Sequence, residues 1–467
     1  MRPYLWNPWA TAQERPGRLA VVADDETYTF AELVRRADDL CLGLRARGLA
    51  DGAVLATDIP SGPRFFALAL TALRYGYGLF PVDGRLVAAP FGPALLSGMD
   101  TALHITARPA EGGPALPCPT VTDDELASGA APRSTAPAAA ARAGYLAFAT
   151  SGTTGDPQAV PRARPWRPYK GVAVSPRYAA GTGLGPHLMA NPTFHLGTLG
   201  PALYALQAGS AVVVQRAWSP GGFAELIDRH GADSAMLSLD LLLDVLAAGA
   251  RPRHPLRALF HGGAACPPQR KREAIALLGP VLHEYYGTSR STLTEITTEE
   301  WLRHPGSVGR PLPGIGIEIR DAGRPVPSGT VGTIHARLRA ADRERPGEPL
   351  LDTGDLGFLD DDGYLHVVGR AGDEGQRDEA RLEYEIRLLP GVCDVAVVGG
   401  ADPVCHVETV PGPPDDIVTG IRDAARRLGV PAPRIALGPS GSLPRTPSGK
   451  IRRAVLHAPA GPGRPRR

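Results

Sequence analysis

An apolar run that enters a loop of glycine and hydroxyl residues is the feature that most constrains the fold of this chain. Residues Tyr145 to Ala149 have the character of a strand, and the segment TSGTTGDP, from Thr150 to Pro157, follows directly. Glycines let a backbone turn tightly and bring N–H groups close to an anion, and Ser and Thr hydroxyls add hydrogen-bond donors. The segment lacks the GxxxxGK[ST] spacing of a Walker A loop. Taken alone, it is either a solvated turn or a phosphate-binding loop.

The size and charge of the chain exclude several classes of protein. With 467 residues it is long enough for two or three compact units and a substantial core. Lys and Arg total 50 and Asp and Glu 48, which leaves a net charge of +2 and no field that would attract nucleic acid. The apolar segment from Phe65 to Leu73 is broken by Arg74 and is too short to span a bilayer. A soluble, cytoplasmic protein is therefore predicted.

Five scattered cysteines predict reduced thiols and not a disulfide framework. They form no CxxC pair and have no companion histidines at zinc-ligand spacing. The pair Cys405-His406 lies in an apolar stretch, which favours a strand over a metal site.

Helix-like and strand-like segments alternate in two regions, which indicates an α/β fold. Near the N-terminus, Phe30 to Ala46 and Arg64 to Tyr75 have helical spacing, and the strand-like Val54 to Ile59 lies between them. Further along, the strand-like segments Ala258 to His261 and Val281 to Tyr286 each run into a loop of small residues. Such loops are typical of a ligand crevice at the carboxyl ends of the strands of a sheet.

From about Gly306 the pattern changes to short strands separated by Gly, Pro and Asp clusters, which predicts a small β-barrel or sheet. A charged stretch follows, and then a helix from Ala380 to Leu389, a strand from Asp394 to Val398 and a helix from Asp415 to Leu428. The predicted organisation is a core at 1–369 with the barrel at about 306–369, a flexible hinge at 370–379 and a C-terminal lid at 380–467 that carries Lys450.

Seven segments, in one order along nearly the whole chain, together resemble the adenylate-forming superfamily. That superfamily comprises acyl- and aryl-CoA ligases, the adenylation domains of peptide synthetases and firefly-type luciferases. The segments are YTFAEL from Tyr28, the Ser151 loop, PTFHLG from Pro192, HGGA from His261, YYGTS from Tyr285, DTGD from Asp352 with Gly369-Arg370, and PRTPSGKI from Pro444.

The resemblance implies a large N-terminal domain of two α/β subdomains plus a small β-barrel, followed by a small mobile α+β C-terminal domain. It implies ATP-dependent activation of a carboxylic acid to an acyl-adenylate, with transfer to CoA or to the thiol of a phosphopantetheinyl carrier protein. ATP and Mg²⁺ are the implied cofactors. Among the members of the superfamily, the motifs are most similar to those of AMP-forming acyl-CoA synthetases.

The resemblance also implies roles for individual residues of an ATP site. Asp355 would accept both ribose hydroxyls, as a carboxylate can accept two hydrogen bonds at once, and Arg370 would contact the ribose. Tyr286 would stack on the adenine, and Ser289 would donate to the α-phosphate. The implied ATP-binding residues are Thr150, Ser151, Gly152, Thr153, Thr154, Gly155, Gly262, Gly263, Ala264, Tyr286, Gly287, Thr288, Ser289, Asp355 and Arg370.

Two further residues are implied as catalytic. Lys450 would bring positive charge to the phosphate as the carboxylate approaches, carried there by movement of the lid. His195 lies where acyl- and aryl-CoA ligases place a histidine or an aromatic residue beside the substrate carboxylate, and a packing role is its alternative. No acidic residue occurs from Phe194 to Thr198, which disfavours an α-amino acid substrate.

The chain departs from the superfamily pattern at the phosphate loop and at the metal position. Gln158 stands where the loop usually has a lysine, and Arg162 or Arg164 is a candidate replacement. Arg290 stands where a glutamate helps to bind Mg²⁺, and Glu295 is its equivalent only if an insertion intervenes. The residue that holds the metal is therefore open.

The hinge differs as well. The sequence GRAG at 369–372 replaces the usual Gly-Arg-x-Asp, and QRDE at 376–379 replaces a lysine-and-glycine loop that lines the thiol channel. Three functions stay open: an acid–thiol ligase, which the motifs favour; an enzyme that stops at the adenylate or delivers it to an amine; and a catalytically impaired member that acts as a binding partner.

Overall fold

The structure is a computed structural model, and it divides the chain into two compact units. It describes residues 8–24, 26–108, 113–129, 137–140, 144–149, 159–160, 185–288, 291–338, 347, 349–371, 374–399, 402–413, 415–445 and 451–456. Unit 1 consists of Met1–Met236 and Pro252–Ala258, and unit 2 of Leu237–Arg251 and Leu259–Arg467. The hinge at 370–379 and the lid at 380–467 lie inside unit 2, and their boundaries stay predictions.

Unit 1 alternates helices and strands, as the sequence pattern predicts. Its helices are α1 Pro8–Glu14, α2 Phe30–Ala46, α3 Pro63–Tyr75, α4 Gly84–Val87, α5 Gly92–Ser97, α6 Asp123–Ser128, α7 Leu196–Gln207 and α8 Pro220–His230. Its strands are β1 Leu19–Ala23, β2 Glu26–Thr29, β3 Val54–Thr57, β4 Gly78–Pro81, β5 Thr101–Thr106, β6 Thr120–Thr122, β7 Tyr145–Leu146, β8 Phe148–Ala149, β9 Ala159–Val160, β10 His187–Met189, β11 Val212–Val214 and β12 Ser234–Ser238.

Parallel pairing dominates the sheets of unit 1. One sheet has the strand order β6-β5-β3-β4-β7, and each of its pairs is parallel. Strands β12, β10, β11 and β1 also lie side by side in parallel, and β2 pairs with β1 in the antiparallel direction. Parallel strands need crossover connections, which the intervening helices supply.

The helix α2 shows that the YTFAEL segment is a helix start. The Thr29 hydroxyl accepts from the Glu32 N–H at 3.3 Å, and the Glu32 carboxylate accepts from the Thr29 N–H at 2.8 Å. This is a capping box, which satisfies backbone donors that the first helical turn leaves open. Phe30 and Leu33 then begin a buried stripe along the helix. The predicted bounds of α2 are confirmed at both ends.

The apolar segment from Phe65 to Leu73 lies in α3, whose residues are buried on nearly every face in the core of unit 1. A helix that is apolar all round is expected where protein surrounds it completely. No helix in the described part of the chain is long and apolar enough to cross a membrane.

Unit 2 contains a mixed sheet, an antiparallel sheet and a small α+β region. Its helices are α9 Leu239–Ala248, α10 Pro268–Leu278, α11 Thr298–Arg303, α12 Glu374–Arg387, α13 Ile417–Leu428 and α14 Arg453–Leu456. Its strands are β13 Ala258–Gly262, β14 Leu282–Gly287, β15 Thr292–Thr297, β16 Arg310–Pro311, β17 Gly316–Asp321, β18 Arg324–Pro325, β19 Gly332–Arg337, β20 Leu351–Leu359, β21 Leu365–Arg370, β22 Val392–Val398, β23 Val404–Thr409 and β24 Arg434–Pro439.

The region that begins near Gly306 forms an antiparallel sheet, with the order β18-β17-β19-β20-β21. The sequence pattern predicts a small barrel or sheet here, and five strands are observed. Before it, β13 and β14 pair in parallel, and β15 and β16 continue the row as antiparallel strands. Strands β14 and β20 both contribute to the site described below.

The C-terminal region is a three-stranded sheet, β22-β23-β24, that packs against α12 and α13. The helix α12 begins at Glu374 and not at Ala380, so residues 374–379 of the predicted hinge are helical. The first six residues of the helix are polar, charged or glycine, so they form no apolar stripe from which the sequence could indicate this start. Cys405-His406 lies in β23, as predicted, and all five cysteines are free thiols.

Candidate active site

The end of β13 forms a backbone wall at the HGGA segment. A Cβ at Gly262 would lie 2.7 Å from the Tyr285 carbonyl oxygen and 2.8 Å from the Tyr285 ring, so only glycine permits this spacing of β13 and β14. Gly263 has φ of +83° and is exposed, and Ala264 is half-buried. Of the residues predicted for the ATP site, Gly262 therefore ends a buried strand, and Gly263 and Ala264 form an accessible turn directly after it.

The next strand, β14, carries Tyr286 and ends in a tight hairpin. The Thr288 N–H donates to the Ser291 carbonyl at 2.9 Å, and a Cβ at Gly287 would lie 2.5 Å from that same oxygen. The close approach explains the glycine of the YYGTS segment. Ser289 and Arg290 lie outside the described residues.

Asp355 on β20 brings three of the predicted residues together. The Tyr286 hydroxyl donates to Asp355 Oδ2 at 2.7 Å, and Arg370 Nη1 lies 3.1 Å from Asp355 Oδ1. Asp355 and Arg370 are direct partners in the pairing of β20 with β21. The Asp355 side chain is 14% exposed and that of Arg370 is 75% exposed, so the carboxylate is largely buried while its arginine partner reaches the surface.

The DTGD segment has a local geometry that aims Asp355. Gly354 has φ of +70°, which favours glycine, and its N–H donates to Asp352 Oδ1 at 2.9 Å. The Asp355 N–H donates to the Thr353 hydroxyl at 3.2 Å, and that hydroxyl donates to the Ile334 carbonyl at 2.9 Å. Hydrogen bonds within the DTGD segment, and one from it to the neighbouring strand β19, therefore fix its conformation.

Electrostatics keep Tyr286 protonated. Burial, and then the charge of the Asp355 carboxylate, raise the pKa of the Tyr286 hydroxyl above its usual value. A protonated hydroxyl remains a donor to Asp355. The ring of Tyr286 packs beside a buried apolar cluster that includes Leu293 and Ile315. Packing and hydrogen bonding thus fix both ends of the side chain.

His195 lies in unit 1, at the N-cap of α7, and is exposed. Its ring contacts that of Phe194, with centroids 4.8 Å apart. Asp83 lies within electrostatic range of His195. Burial acts to raise the pKa of the Asp83 carboxyl, but hydrogen bonds from Arg85 and a smaller contribution from His195 outweigh it, so the pKa is lowered. Asp83 is an acidic neighbour that sequence reasoning missed, because it comes from a distant segment; no local signal indicated it.

The phosphate loop, from Thr150 to Gly155, and Lys450 lie outside the described residues. Their flanks are described. Strand β8 pairs antiparallel with β9, so that Ala149 is opposite Ala159 at the two ends of the loop. At the other motif, Arg445 and Ile451 pair in an isolated antiparallel bridge.

Glu295 does not lie on the same face of its strand pair as Tyr286. In the register of β14 and β15, Glu295 is opposite Tyr285 and Thr294 is opposite Tyr286. Directly opposite residues share a face, and successive residues alternate. Within the described residues, no group of three or more His, Cys, Asp or Glu side chains is arranged to hold a metal ion. The metal residue thus stays open.

The sequence profile described as AMP-binding enzyme matches residues 8–340. The chain belongs to the AMP-binding enzyme family. This AMP-binding enzyme is 27% identical to the fatty acid–[acyl-carrier-protein] ligase ScoC of Streptomyces coeruleorubidus, over 95% of this chain and 94% of the relative. It is 28% identical to the sulfoacetate–CoA ligase of Cupriavidus necator, over 95% of each chain.

Solved structures show the same fold. The o-succinylbenzoate CoA synthetase of Bacillus subtilis, in complex with its acyl-adenylate intermediate, matches with a TM-score of 0.73 and 23% identity over 98% of both chains. The predicted fold class and the resemblance to the adenylate-forming superfamily are confirmed. The relatives also agree with the predicted enzyme class, an AMP-forming ligase that joins an acid to a thiol.

Proposed function

We propose that this AMP-binding enzyme activates a carboxylic acid with ATP and transfers the acyl group to a thiol. In the first step a carboxylate oxygen attacks the α-phosphorus of ATP, and the bond to pyrophosphate breaks. In the second step a thiolate sulfur attacks the acyl carbon of the adenylate, and AMP leaves as the thioester forms. The thiol belongs to CoA or to the phosphopantetheinyl group of a carrier protein.

The arrangement of Tyr286, Asp355 and Arg370 is the observation that carries this proposal. A carboxylate with one oxygen held by a half-buried tyrosine and the other beside a largely exposed arginine suits a ribose diol, since it can accept two hydrogen bonds. The exposed turn at Gly263 and Ala264 offers backbone where an adenine could approach. These groups lie in one unit and fit the nucleoside part of ATP.

Lys450 supplies the positive charge for the first step in this proposal. The chain has only three lysines, at 170, 271 and 450, among its 50 basic residues. A lysine at the PRTPSGKI segment is therefore not explained by a general use of lysine on the surface. Its compact charge on a flexible stem suits a group that meets a phosphate during a reaction.

The substrate is proposed to be an acyl or aryl acid with no α-amino group. His195 is the residue proposed to face its carboxylate. Asp83, an acidic residue within electrostatic range of His195, accepts from the Arg85 N–H at 2.9 Å and forms an ion pair with its guanidinium at 2.6 Å. Its charge is therefore already compensated, so it is a poor partner for a substrate ammonium group.

Magnesium is proposed to bind with the phosphates of ATP, where it would neutralise negative charge during adenylyl transfer. The glutamate that the superfamily uses for this ion is replaced by Arg290, and Gln158 replaces the loop lysine. These two changes affect adenylation and favour a candidate function in which the chain only binds. The replaced hinge and thiol-channel sequences, GRAG at 369–372 and QRDE at 376–379, favour another, in which the enzyme stops at the adenylate or passes it to an amine.

Exchange of radiolabelled pyrophosphate into ATP tests the first step, with a panel of acyl, aryl and amino acids. We expect exchange that depends on an acyl or aryl acid and falls by about a hundredfold or more in Lys450→Ala. A surface variant, Arg434→Met, is the matched control for loss of a basic side chain. No exchange with any acid would contradict the enzyme and favour the binding function.

The second step is tested with the acid that the exchange assay identifies. Thioester formation is measured with CoA and, separately, with a phosphopantetheinylated carrier protein. We expect AMP release to require one of these thiols. If exchange occurs but neither thiol consumes the adenylate, the ligase proposal fails at this step and the amine acceptor becomes the better candidate.

A further inference from the structure

Six charged side chains form a cluster in the C-terminal region, and the three carboxylates among them are buried. Three are the carboxylates of Glu383 on α12, Asp394 on β22 and Glu408 on β23, and their side chains are 4%, 6% and 3% exposed. Three are arginines that neutralise them, at positions 387, 445 and 453. These six residues are called the carboxylate–arginine cluster below.

Arg445 connects the cluster to the segment before Lys450. Its Nη2 lies 2.7 Å from Asp394 Oδ2 and 3.4 Å from Glu408 Oε2. The other oxygen of Glu408 accepts from the Leu443 N–H at 2.7 Å, two residues earlier in the chain. The start of the PRTPSGKI segment is thus held by the Arg445 side chain and by the Leu443 backbone N–H.

Arg453 connects the cluster to the segment after Lys450. Its Nη2 lies 2.6 Å from Glu383 Oε2. Arg387 joins the two halves, since Nη2 donates to Glu383 Oε2 at 2.8 Å and Nε donates to Asp394 Oδ1 at 3.0 Å. Against the effect of burial, the two carboxylates raise the pKa of Arg387. A continuous chain of ion pairs therefore runs from Arg445 to Arg453.

The two ends of the Lys450 segment also contact each other. Arg445 pairs with Ile451 in a β-bridge, and the Arg452 N–H donates to the Pro444 carbonyl at 2.8 Å. Residues 446–450 themselves lie outside the described residues. Their flanks are held together by backbone hydrogen bonds and are anchored on either side by an arginine of the cluster.

Stability alone is a weak reason for such a cluster. Burying three carboxylates and most of two arginine partners costs solvation free energy that ion pairs often only offset, and apolar side chains of similar volume frequently stabilise a protein as well or better. What charged hydrogen bonds add is geometry, because the planar guanidinium fixes its carboxylate partners in direction and distance. The position of the anchored segment is what that geometry controls.

We propose that Arg445 and Arg453, with Asp394, Glu408, Glu383 and Arg387, are positioning residues that hold Lys450 for the first step of the reaction. This inference rests on the proposed function. The cluster contacts neither acid nor ATP in this scheme. It acts through the lysine by fixing where the two ends of its segment lie.

A double-mutant cycle tests this role. We expect Arg445→Met to lower the maximal rate of pyrophosphate exchange by about tenfold or more and to leave KM for ATP within about twofold. In the Lys450→Ala background the same substitution should have no further effect, because the residue through which it acts is gone. Arg434→Met, which removes an arginine paired with the exposed Asp402, is the matched control.

The rate of proteolytic cleavage after Lys450 tests the same role without relying on enzyme activity. An endoproteinase specific for lysine finds three sites, of which Lys271 is fully buried and paired with Glu284 at 2.6 Å. We expect Arg445→Met to speed release of fragment 451–467 by about tenfold relative to Arg434→Met, since local opening exposes a site to protease. If Arg445→Met does not fold, Arg453→Met replaces it, because Arg453 is half exposed.

Equal losses of exchange in both backgrounds, or unchanged cleavage at Lys450, would overturn the positioning role. The outcome is separable from that of the proposed function. If the unmodified enzyme shows no exchange with any acid, the proposed function fails, and the cleavage rate still decides whether the cluster holds the segment.

Discussion

At the scale of the residue, Asp355 is the side chain on which the candidate site depends. It is the acceptor for the Tyr286 hydroxyl and the partner of Arg370, and it is separated from Tyr286 by 69 positions in sequence. The DTGD motif predicted its role, whereas its contact with Tyr286 became visible only in the folded chain. The resemblance named both residues without relating one to the other.

Asp355→Asn should weaken the binding of ATP. The amide keeps the shape of the side chain but loses the charge and one of the two acceptor oxygens, and hydrogen bonds to a charged group contribute about 1.5–3 kcal/mol each. We expect KM for ATP to rise about tenfold or more in the exchange assay. Asp361→Asn, in the exposed turn after β20, is the control. An unchanged KM would place the ribose elsewhere.

Ion pairs between residues far apart in the chain were not predicted from the sequence. Arg445 lies within the PRTPSGKI segment, and Asp394, its partner, lies 51 positions away. A buried aspartate in the apolar strand VCDVAVV was the available signal, because a charge in such a strand requires a partner. Nothing local could identify which arginine that partner is.

At the scale of the element, glycines at strand ends decide how closely β13 and β14 approach. Helix bounds were predicted well where an apolar stripe and a capping box coincide, as in α2. The start of α12 was wrong by six residues because Glu374 to Glu379 offer no apolar stripe. Burial of one face by β22 and α13 stabilises that helix.

Gly262→Ala should destabilise unit 2. The new methyl group would lie 2.7 Å from the Tyr285 carbonyl oxygen, a backbone atom that cannot move without shifting β14. Overpacking of this kind costs about 1–3 kcal/mol. We expect the urea midpoint to fall, as followed by circular dichroism. Gly221→Ala in α8 has open space around the new methyl group and is the control. Equal midpoints would show that the strands can separate freely.

At the scale of the whole molecule, buried histidines make stability depend on pH. Burial lowers the pKa of His187 from 6.5 to about 4, and it lowers the pKa of His261 as well. The unfolded chain therefore binds protons at these sites between pH 6.5 and pH 4 while the folded chain does not. Stability is full above pH 6.5 and falls as the pH drops through this window.

His187→Gln should flatten this dependence. The loss attributable to His187 alone is on the order of 3 kcal/mol between pH 7 and pH 4. Urea unfolding at a series of pH values measures it. His335→Gln is the matched control. Both histidines have a hydroxyl oxygen 3.0 Å from a ring nitrogen, that of Ser234 for His187 and that of Thr333 for His335. They differ in burial, because His187 is buried and His335 is only partly buried. An unaltered slope in His187→Gln would mean that other groups dominate the acid response.

Motifs and the periodicity of neighbouring residues were enough to predict the family, the α/β class and most of the elements. The resemblance of those motifs to the adenylate-forming superfamily also predicted which residues would contact a nucleotide. The folded chain was needed to show that Glu295 faces away from Tyr286, that Asp83 lies within electrostatic range of His195 and that ion pairs to buried carboxylates anchor both ends of the Lys450 segment. Those relations join residues far apart in the chain, and strand register and packing alone bring them together.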